Sequence, residues 1–218
     1  LVYLDANECA HEPFVGARNL ARYSKQQPGE LQRAFCHWLD VSSRNLTITR
    51  GADEAIDCLM RGFCEPGLDN IVICPPTFAM YAQSAMLQGV EIRRAPLTSN
   101  FGLDPVAIAA AIDEATKLVF VCSPNNPTGN VMNATTIIDL CIACDGRALV
   151  VVDETYIEYA IDAGDATSLI PELERFANLV VLRTLSKSHA AAGLRCGCAV
   201  AAADVTGLMR KVLAPYPM

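Results

Sequence analysis

The sequence has 218 residues, a formal net charge of −7, 52% hydrophobic residues and 19% charged residues. This composition supplies a large apolar core and excludes a disordered or fibrous chain. The acidic balance disfavours nucleic acid or an anionic membrane as the main partner. We see no secretory signal and no apolar run of the ~18 residues that span a bilayer, so we expect a soluble cytoplasmic protein.

The predicted elements alternate between helices and strands along the chain. Strands are predicted at residues 46–49, 71–74, 90–94, 117–123, 148–153, 179–182 and 197–202. Helices are predicted at residues 30–39, 54–63, 78–87, 105–114, 134–144 and 204–213. Apolar runs such as ALVVVD indicate strands that are buried on both faces. The alternation therefore predicts a three-layer α/β/α sandwich around a mainly parallel (mixed) central sheet.

The ten cysteines lie in apolar runs such as IVIC and VFVCS. Buried free thiols in a reducing compartment explain this placement better than a disulfide framework. Cys141 and Cys144 form a CxxC pair, but no second pair or nearby histidine accompanies them, so neither zinc nor redox chemistry is favoured there.

Polar residues and turn formers follow the predicted strands, in the stretches RGADEA, PPTF, PNNPTG, DETY and RTLSK. In open α/β sheets, ligands bind at the carboxyl ends of the strands. We therefore expect a functional site at this edge of the sheet.

The stretch from Gly51 to Glu54 leads into a predicted helix. Free backbone N–H groups at a helix start form an anion pocket, although a simple N-cap by Asp53 explains the same residues. A nucleotide P-loop is not supported, because the chain has no GxxxxGK motif.

Asp153 ends a strand of aliphatic residues, where an unpaired carboxylate is costly. It requires a cationic partner, which can be an arginine, a metal or the protonated ring nitrogen of a ligand, unless it only caps the strand end. A metal is not favoured, because no His or Cys cluster is nearby. Tyr156 can reach the same ligand, and the turn at Asn125 and Asn126 can aim an amide at the sheet edge.

Lys187 lies near the hydroxyls of Thr184 and Ser186, and Arg195 follows eight positions later. By itself, Lys187 is compatible with an ordinary exposed lysine. Together with Asp153, these residues can support amine chemistry on a carbonyl, and Ser186, Arg195 and the helix start can hold a phosphate.

Five ordered motifs carry a family resemblance: RGADEA, PPTF, SPNNPTG, VVDETYIEY and LRTLSKSHAAAGLRCG. In this order and spacing the chain closely resembles the pyridoxal-phosphate aminotransferases of fold type I. The stretches RGADEAIDCLMRGFCEPG, CSPNNPTG and KVLAPYPM most resemble the histidinol-phosphate aminotransferases among them. The resemblance implies an N-terminal arm and helix at residues 1–45 and a cofactor-binding large domain at residues 46–218. It also implies a C-terminal small domain, which is absent from this chain, so we expect the chain to be a piece of a longer protein.

The resemblance implies a role for each matching residue. Lys187 would form the Schiff base with pyridoxal 5'-phosphate and move the proton at the substrate Cα. Asp153 would pair with the pyridinium nitrogen, and the implied ligands of the ring's 3-oxygen are Asn126 and Tyr156. The implied phosphate ligands are the backbone N–H groups of Ala52 and Asp53, together with Thr184, Ser186 and Arg195. Glu54 is also expected to bind the cofactor. Phe78 would stack on the ring, where tyrosine is more usual, and Tyr23 would reach the phosphate site of the partner subunit in a homodimer.

The implied reaction transfers an amino group between L-histidinol phosphate and 2-oxoglutarate, with glutamate as the second product, in histidine biosynthesis. Three alternatives stay open: an aromatic or broad-range aminotransferase, a phosphothreonine-type decarboxylase, and a truncated cofactor-binding homologue without full activity. Part of the substrate pocket that distinguishes them is expected in the absent small domain.

Overall fold

The computed structural model describes residues 25–215 and contains one seven-stranded sheet in that range. The strands, in chain order, are β1 (Leu46–Thr49), β2 (Asn70–Ile73), β3 (Glu91–Arg94), β4 (Thr116–Cys122), β5 (Leu149–Asp153), β6 (Leu179–Thr184) and β7 (Gly197–Ala201). Their order across the sheet is β1-β7-β6-β5-β4-β2-β3. Strand β7 runs antiparallel to both of its neighbours, whereas the other pairs are parallel. The predicted mainly parallel, mixed sheet is therefore confirmed.

The α-helices of the described residues are α1 (Gly29–Leu39), α2 (Gly51–Phe63), α3 (Met80–Gln88), α4 (Pro105–Ala111), α5 (Ala134–Ala143), α6 (Ile157–Asp162) and α7 (Ala203–Val212). The short α6 was not among the predicted helices. Helix α2 begins three residues earlier than predicted, because the carboxylate of Glu54 accepts a hydrogen bond from the backbone N–H of Arg50. Helix α4 ends early, because Asp113 instead accepts hydrogen bonds from the N–H of Ala115 and from the amide of Asn70.

Two apolar cores lie on opposite faces of the sheet, which confirms the three-layer arrangement. One core includes Phe35 of α1, Ile108 of α4 and Ile137 of α5. The other includes Ile56 of α2 and Met209 of α7, which pack against the opposite face. Alternate residues of the central strands β4, β5 and β6 point to one core or the other, so their continuous aliphatic runs have no exposed face.

The cysteines of the described part contribute to these cores as free thiols. Eight of them are buried, and Cys36 is half-buried. Burial raises the pKa of the Cys122 thiol to about 12, and a thiol with such a pKa is protonated at neutral pH. Within residues 25–215, no helix has the length and apolar character that crossing a membrane requires.

The sheet topology places the predicted motifs at one edge. Strands β1, β2, β4, β5 and β6 all end at this edge, and the antiparallel β7 begins there, with Gly197 opposite Thr49 and Thr184. The stretch that precedes β7 therefore lies beside the start of α2 and the residues after β6.

Candidate active site

A cleft of about 670 Å³ opens at the carboxyl ends of β4, β5 and β6. Ten of the twelve residues that we predicted for the site line it: Ala52, Asp53, Phe78, Asn126, Asp153, Tyr156, Thr184, Ser186, Lys187 and Arg195. The first and last of these residues are more than 100 positions apart in the sequence, and the parallel strands bring them together. Met80, Cys122, Thr155, Ala192 and Gly193 complete the lining.

Of the remaining two predicted residues, Glu54 does not line the cleft. The cofactor-binding role that the resemblance implies for Glu54 stays a prediction. This carboxylate is buried and faces Arg50, whose Nη2 lies 2.7 Å from Glu54 Oε1. Its effect on the site is indirect, because it stabilises the start of α2. Tyr23 lies outside the described residues.

One end of the cleft is built for an anion. The first turn of α2 leaves backbone N–H groups without partners inside the helix, and Ala52 and Asp53 of that turn line the cleft. Arg195 lies beside them, with Nη2 3.4 Å from Asp53 Oδ2 and 3.4 Å from the carbonyl oxygen of Arg50. The side chains of Arg195 and Asp53 are each 49% exposed, so this ion pair is weak and can rearrange around a ligand.

Two glycines allow this close approach. Gly51 has a φ of +76°, and a Cβ there would lie 3.0 Å from Arg195 Nη2. A Cβ on Gly197 would lie 2.7 Å from the carbonyl oxygen of Arg183 and 2.9 Å from the backbone of Gly51. A side chain at either position would therefore displace the helix start from the arginine.

The hydroxyls of Thr184 and Ser186 lie next to this anion end. Their oxygens are 2.9 Å apart, and Thr184 Oγ1 also donates to the carbonyl oxygen of Cys196. The backbone N–H of Ser186 donates to Thr184 Oγ1. Both side chains are buried, and these hydrogen bonds fix their positions at the end of β6.

Lys187 follows these hydroxyls in a compact loop. Its carbonyl oxygen accepts from the N–H of Ala190, and Ala191 N–H donates back to the carbonyl oxygen of Leu185. Ala190 adopts a φ of 52°, which a small side chain tolerates better than a bulky one. The loop therefore turns tightly and returns to the cleft at Ala192, Gly193 and Arg195.

The opposite part of the cleft contains a buried carboxylate. Asp153 is 2% exposed. Its Oδ1 accepts hydrogen bonds from Thr155 Oγ1 at 2.6 Å and from Thr155 N at 3.1 Å. Its Oδ2 accepts one from the Tyr81 hydroxyl at 2.8 Å. Burial raises the pKa of Asp153, and the hydrogen bonds from Thr155 and Tyr81 counteract this effect.

A phenol and an amide also line the cleft. Asn126 Nδ2 is 3.5 Å from Tyr156 Oη, so both groups can contact one oxygen of a ligand. The neighbouring Asn125 has a structural role instead, because its amide donates to the carbonyl oxygen of Pro76 and to Thr128 Oγ1. The aromatic ring of Phe78 lines the cleft.

The ends of β5 and β6 are joined by a buried ion pair behind the cleft. Arg183 Nη1 lies 3.3 Å from Glu154 Oε2, and its guanidinium also pairs with Glu158 and lies over the Trp38 ring. Glu154 accepts further hydrogen bonds from Ser168 Oγ and from Leu169 N. Burial raises the pKa of Glu154 to about 7, and the charge of Arg183 opposes this rise.

Sequence reasoning missed Tyr81 and Thr155. Thr155 follows Asp153 by two positions, which is the spacing at which a side-chain carboxylate accepts from the backbone. That local signal was available in the sequence. Tyr81 has no such signal, because its partner is 72 positions away and its ring is fully buried.

The chain is similar to known proteins in sequence and in fold. The model of the family "Aminotransferase class I and II" matches residues 6–218. The histidinol-phosphate aminotransferase of Photobacterium profundum is 46% identical over 100% of the chain, which covers 57% of that relative. The corresponding protein of Vibrio cholerae is 45% identical, again over the whole chain and over 62% of the relative. The chain thus spans about three fifths of the length of these curated relatives.

Solved structures share the fold. A putative histidinol-phosphate aminotransferase from Erwinia carotovora atroseptica aligns with a TM-score of 0.81 and 27% identity, over 90% of this chain and 57% of its own. The Sinorhizobium meliloti histidinol-phosphate aminotransferase, solved in complex with pyridoxal-5'-phosphate, aligns with a TM-score of 0.82 and 24% identity, over 90% and 53% of the respective chains. Because the family model matches nearly the whole chain and the fold agrees, the chain belongs to the aminotransferase class I and II family.

Proposed function

We propose that this chain is the cofactor-binding part of a pyridoxal-phosphate-dependent aminotransferase that acts on L-histidinol phosphate and 2-oxoglutarate in histidine biosynthesis. One observation carries the proposal: a single cleft contains an amine, Lys187, with a buried carboxylate, Asp153, and an anion-binding end at Arg195. The names of the relatives with 45–46% identity support the substrate assignment.

The residues of the cleft fit this cofactor. A pyridine ring that carries a proton on nitrogen would complement Asp153, which is buried and otherwise has an unfavourable charge. A phosphate would complement Arg195 and the free N–H groups of α2. Asn126 and Tyr156 would hold the ring oxygen, and the Phe78 ring would cover one face.

When bound, pyridoxal phosphate supplies a carbonyl group and an electron sink for amine exchange. Lys187 would provide the amine that attaches the cofactor, and its Nζ would accept and return the proton of the substrate Cα. Asp153 would keep the proton on the ring nitrogen. Tyr156 and Asn126 would orient the ring, and the phosphate contacts would anchor it.

We further propose a cytoplasmic homodimer in which Tyr23 contributes to the partner's phosphate site. The domain organisation that we propose is an N-terminal arm and helix at residues 1–45, followed by the large domain at residues 46–218. The family resemblance supports these proposals, and sedimentation of the purified protein tests the oligomeric state. A monomeric, fully active enzyme would contradict the shared site.

The cofactor assignment is tested on the protein at its full natural length. Added pyridoxal phosphate should produce a visible absorbance band, and borohydride should fix the cofactor to Lys187 as detected by peptide mass spectrometry. Lys187→Ala should abolish the fixed adduct and the band of the attached cofactor, leaving only the aldehyde absorption of unattached pyridoxal phosphate. Lys211→Ala, which changes an exposed lysine on α7, should leave them unchanged. Attachment that persists in Lys187→Ala would refute the role of this lysine.

The substrate assignment is tested by single-turnover reactions with different amino donors. L-Histidinol phosphate should bleach the cofactor band, and its kcat/KM should exceed those of L-phenylalanine and L-aspartate by about 100-fold or more, roughly 3 kcal/mol of discrimination. A preference for either of the other donors would favour an aromatic or aspartate aminotransferase instead.

A further inference from the structure

Tyr81 stands out because it is fully buried yet has a polar group aimed at the site. It lies in the first turn of α3, between the cleft-lining residue Met80 and the core, and its side chain does not line the cleft. Its hydroxyl donates to Asp153 Oδ2 at 2.8 Å. A buried phenol needs a hydrogen-bond partner, but a backbone carbonyl would satisfy this need as well as a functional carboxylate.

The ring of Tyr81 is held rigidly. It stacks on Phe120 with ring centroids 4.6 Å apart and an interplanar angle of 13°. Its second ring contact is edge-to-face with Phe78, at a centroid distance of 5.7 Å. The hydroxyl therefore has a fixed position between the core of β4 and the aromatic ring that lines the cleft. A donor with so little freedom can fix the orientation of the carboxylate to which it is bonded.

The two oxygens of Asp153 are used unequally. Each carboxylate oxygen has about two acceptor positions. Oδ1 accepts both the hydroxyl and the backbone N–H of Thr155, which uses its capacity. The Tyr81 hydroxyl occupies one position of Oδ2. Asp153 lines the cleft, so the second position of Oδ2 would serve a donor that binds there.

We propose that Tyr81 is a positioning residue for Asp153, whose Oδ2 it holds toward the cleft as the acceptor for the ring nitrogen of the cofactor. This inference rests on the proposed function. The phenol acts in two ways. It sets the rotation of the carboxylate, and its donated hydrogen bond stabilises the ionised form that a protonated ring nitrogen requires. Removing the hydroxyl should therefore weaken the contact to the ring nitrogen and leave the phosphate contacts intact.

The test compares two ligands in two variants of the protein at its full natural length. Apoprotein is titrated calorimetrically with pyridoxal phosphate and with the analogue in which carbon replaces the ring nitrogen. Tyr81→Phe keeps both ring contacts and removes only the hydroxyl. We expect it to weaken pyridoxal phosphate binding by about 10-fold or more, because hydrogen bonds to charged groups contribute on this scale. Affinity for the analogue should change by less than about 2-fold, because the analogue has no donor for Oδ2.

Tyr159→Phe is the matched control. Tyr159 is a half-exposed phenol on α6, outside the cleft, and its variant should bind both ligands like the wild type. Thermal melting of each apoprotein checks that Tyr81→Phe is folded. Tyr81→Trp is a second variant, which can donate from its ring N–H and should therefore retain part of the preference for the nitrogen-containing ligand.

The outcomes separate this inference from the proposed function. An equal loss of affinity for both ligands would show that Tyr81 only supports packing, and unchanged affinity for both would show that the hydroxyl is irrelevant. Either result overturns the inference while the wild-type protein still binds the cofactor. A wild-type protein that binds neither ligand would overturn the proposed function, and the inference with it.

Discussion

The contact between the start of β7 and the start of α2 makes Gly197 a sensitive position. A methyl group at Gly197 would lie 2.7 Å from the carbonyl oxygen of Arg183 and 2.9 Å from both the Cα and the carbonyl carbon of Gly51. These neighbours are backbone atoms, so they cannot move aside by changing rotamer. We predict that Gly197→Ala destabilises the protein and also weakens cofactor binding.

The size of the effect follows from these distances. Ordinary van der Waals contact begins at 3.4 Å, so the Arg183 carbonyl must retreat by about 0.7 Å and the Gly51 backbone by about 0.5 Å. Overpacking of this kind costs about 1–3 kcal/mol. For a domain of this size, the cost corresponds to a melting temperature lower by about 2–12 °C. Because Gly51 begins the anion-binding turn, affinity for the cofactor should fall as well.

Calorimetric melting of the apoprotein and cofactor titration measure the two effects. The control is Gly207→Ala in the interior of α7, where an added Cβ would have no neighbour within 4 Å. Alanine is favoured over glycine inside a helix by about 0.5–1 kcal/mol, so this variant should melt slightly higher and bind the cofactor normally. If Gly197→Ala melts at or above the wild-type temperature, the close-approach reasoning is wrong.

Three further predictions concern the charged residues around the cleft. Arg183→Met leaves Glu154 buried without its cation, so we expect the free energy of unfolding to fall by about 3–5 kcal/mol, seen as a markedly lower melting temperature. An unchanged melting temperature would refute a stabilising role of this ion pair. Burial raises the pKa of Asp153, so the folded protein holds this proton more tightly than the unfolded chain does. The folded protein therefore loses stability as the pH rises through that pKa. Asp153→Asn should therefore raise the melting temperature of the apoprotein, more at pH 8 than near pH 4, and should abolish tight cofactor binding; a flat pH dependence would contradict the buried charge. Arg195→Lys keeps the charge but not the bidentate geometry, so cofactor affinity should fall by about 10-fold. The melting temperature of the apoprotein should change by less than about 1 °C, because the exposed ion pair to Asp53 contributes little stability. A large loss of stability would assign Arg195 a structural role.

The strand ends were predictable because their chemistry is local. A run of aliphatic residues that ends in Asp153, or in the 183–187 stretch, indicates both the strand and its polar terminus. Parallel topology then requires such termini to meet at one edge. The sheet and the polar residues of the cleft were identified in this way without any long-range contact being known, whereas Phe78 was assigned to the site only by the family resemblance.

Glu54 was expected to bind the cofactor, but its carboxylate pairs with Arg50 four positions earlier, a contact that is as local as that of Thr155 with Asp153. Other supporting contacts were not predictable, because they depend on how helices and strands pack across the sheet. Tyr81 was part of a predicted helix, and nothing in its neighbourhood indicates that its hydroxyl reaches β5. Gly197 follows an ordinary Arg-Cys sequence. That a side chain cannot be accommodated there is visible only when β7 is placed against α2.

The two ends of the cleft differ in how firmly they are organised, and this difference bears on how a ligand is held. Asp153 is 2% exposed and its two oxygens are held by Thr155 and Tyr81. The Arg195 side chain is 49% exposed, and its contacts are 3.2 to 3.4 Å long. A rigid, desolvated carboxylate discriminates between ring atoms, because a wrong partner leaves its charge unpaired. An exposed arginine attracts an anion at little desolvation cost but selects poorly between anions. Under the proposed function, we therefore expect the buried end to recognise the ring and the exposed end to capture the phosphate. The different predicted responses of Tyr81→Phe and Arg195→Lys follow from that division.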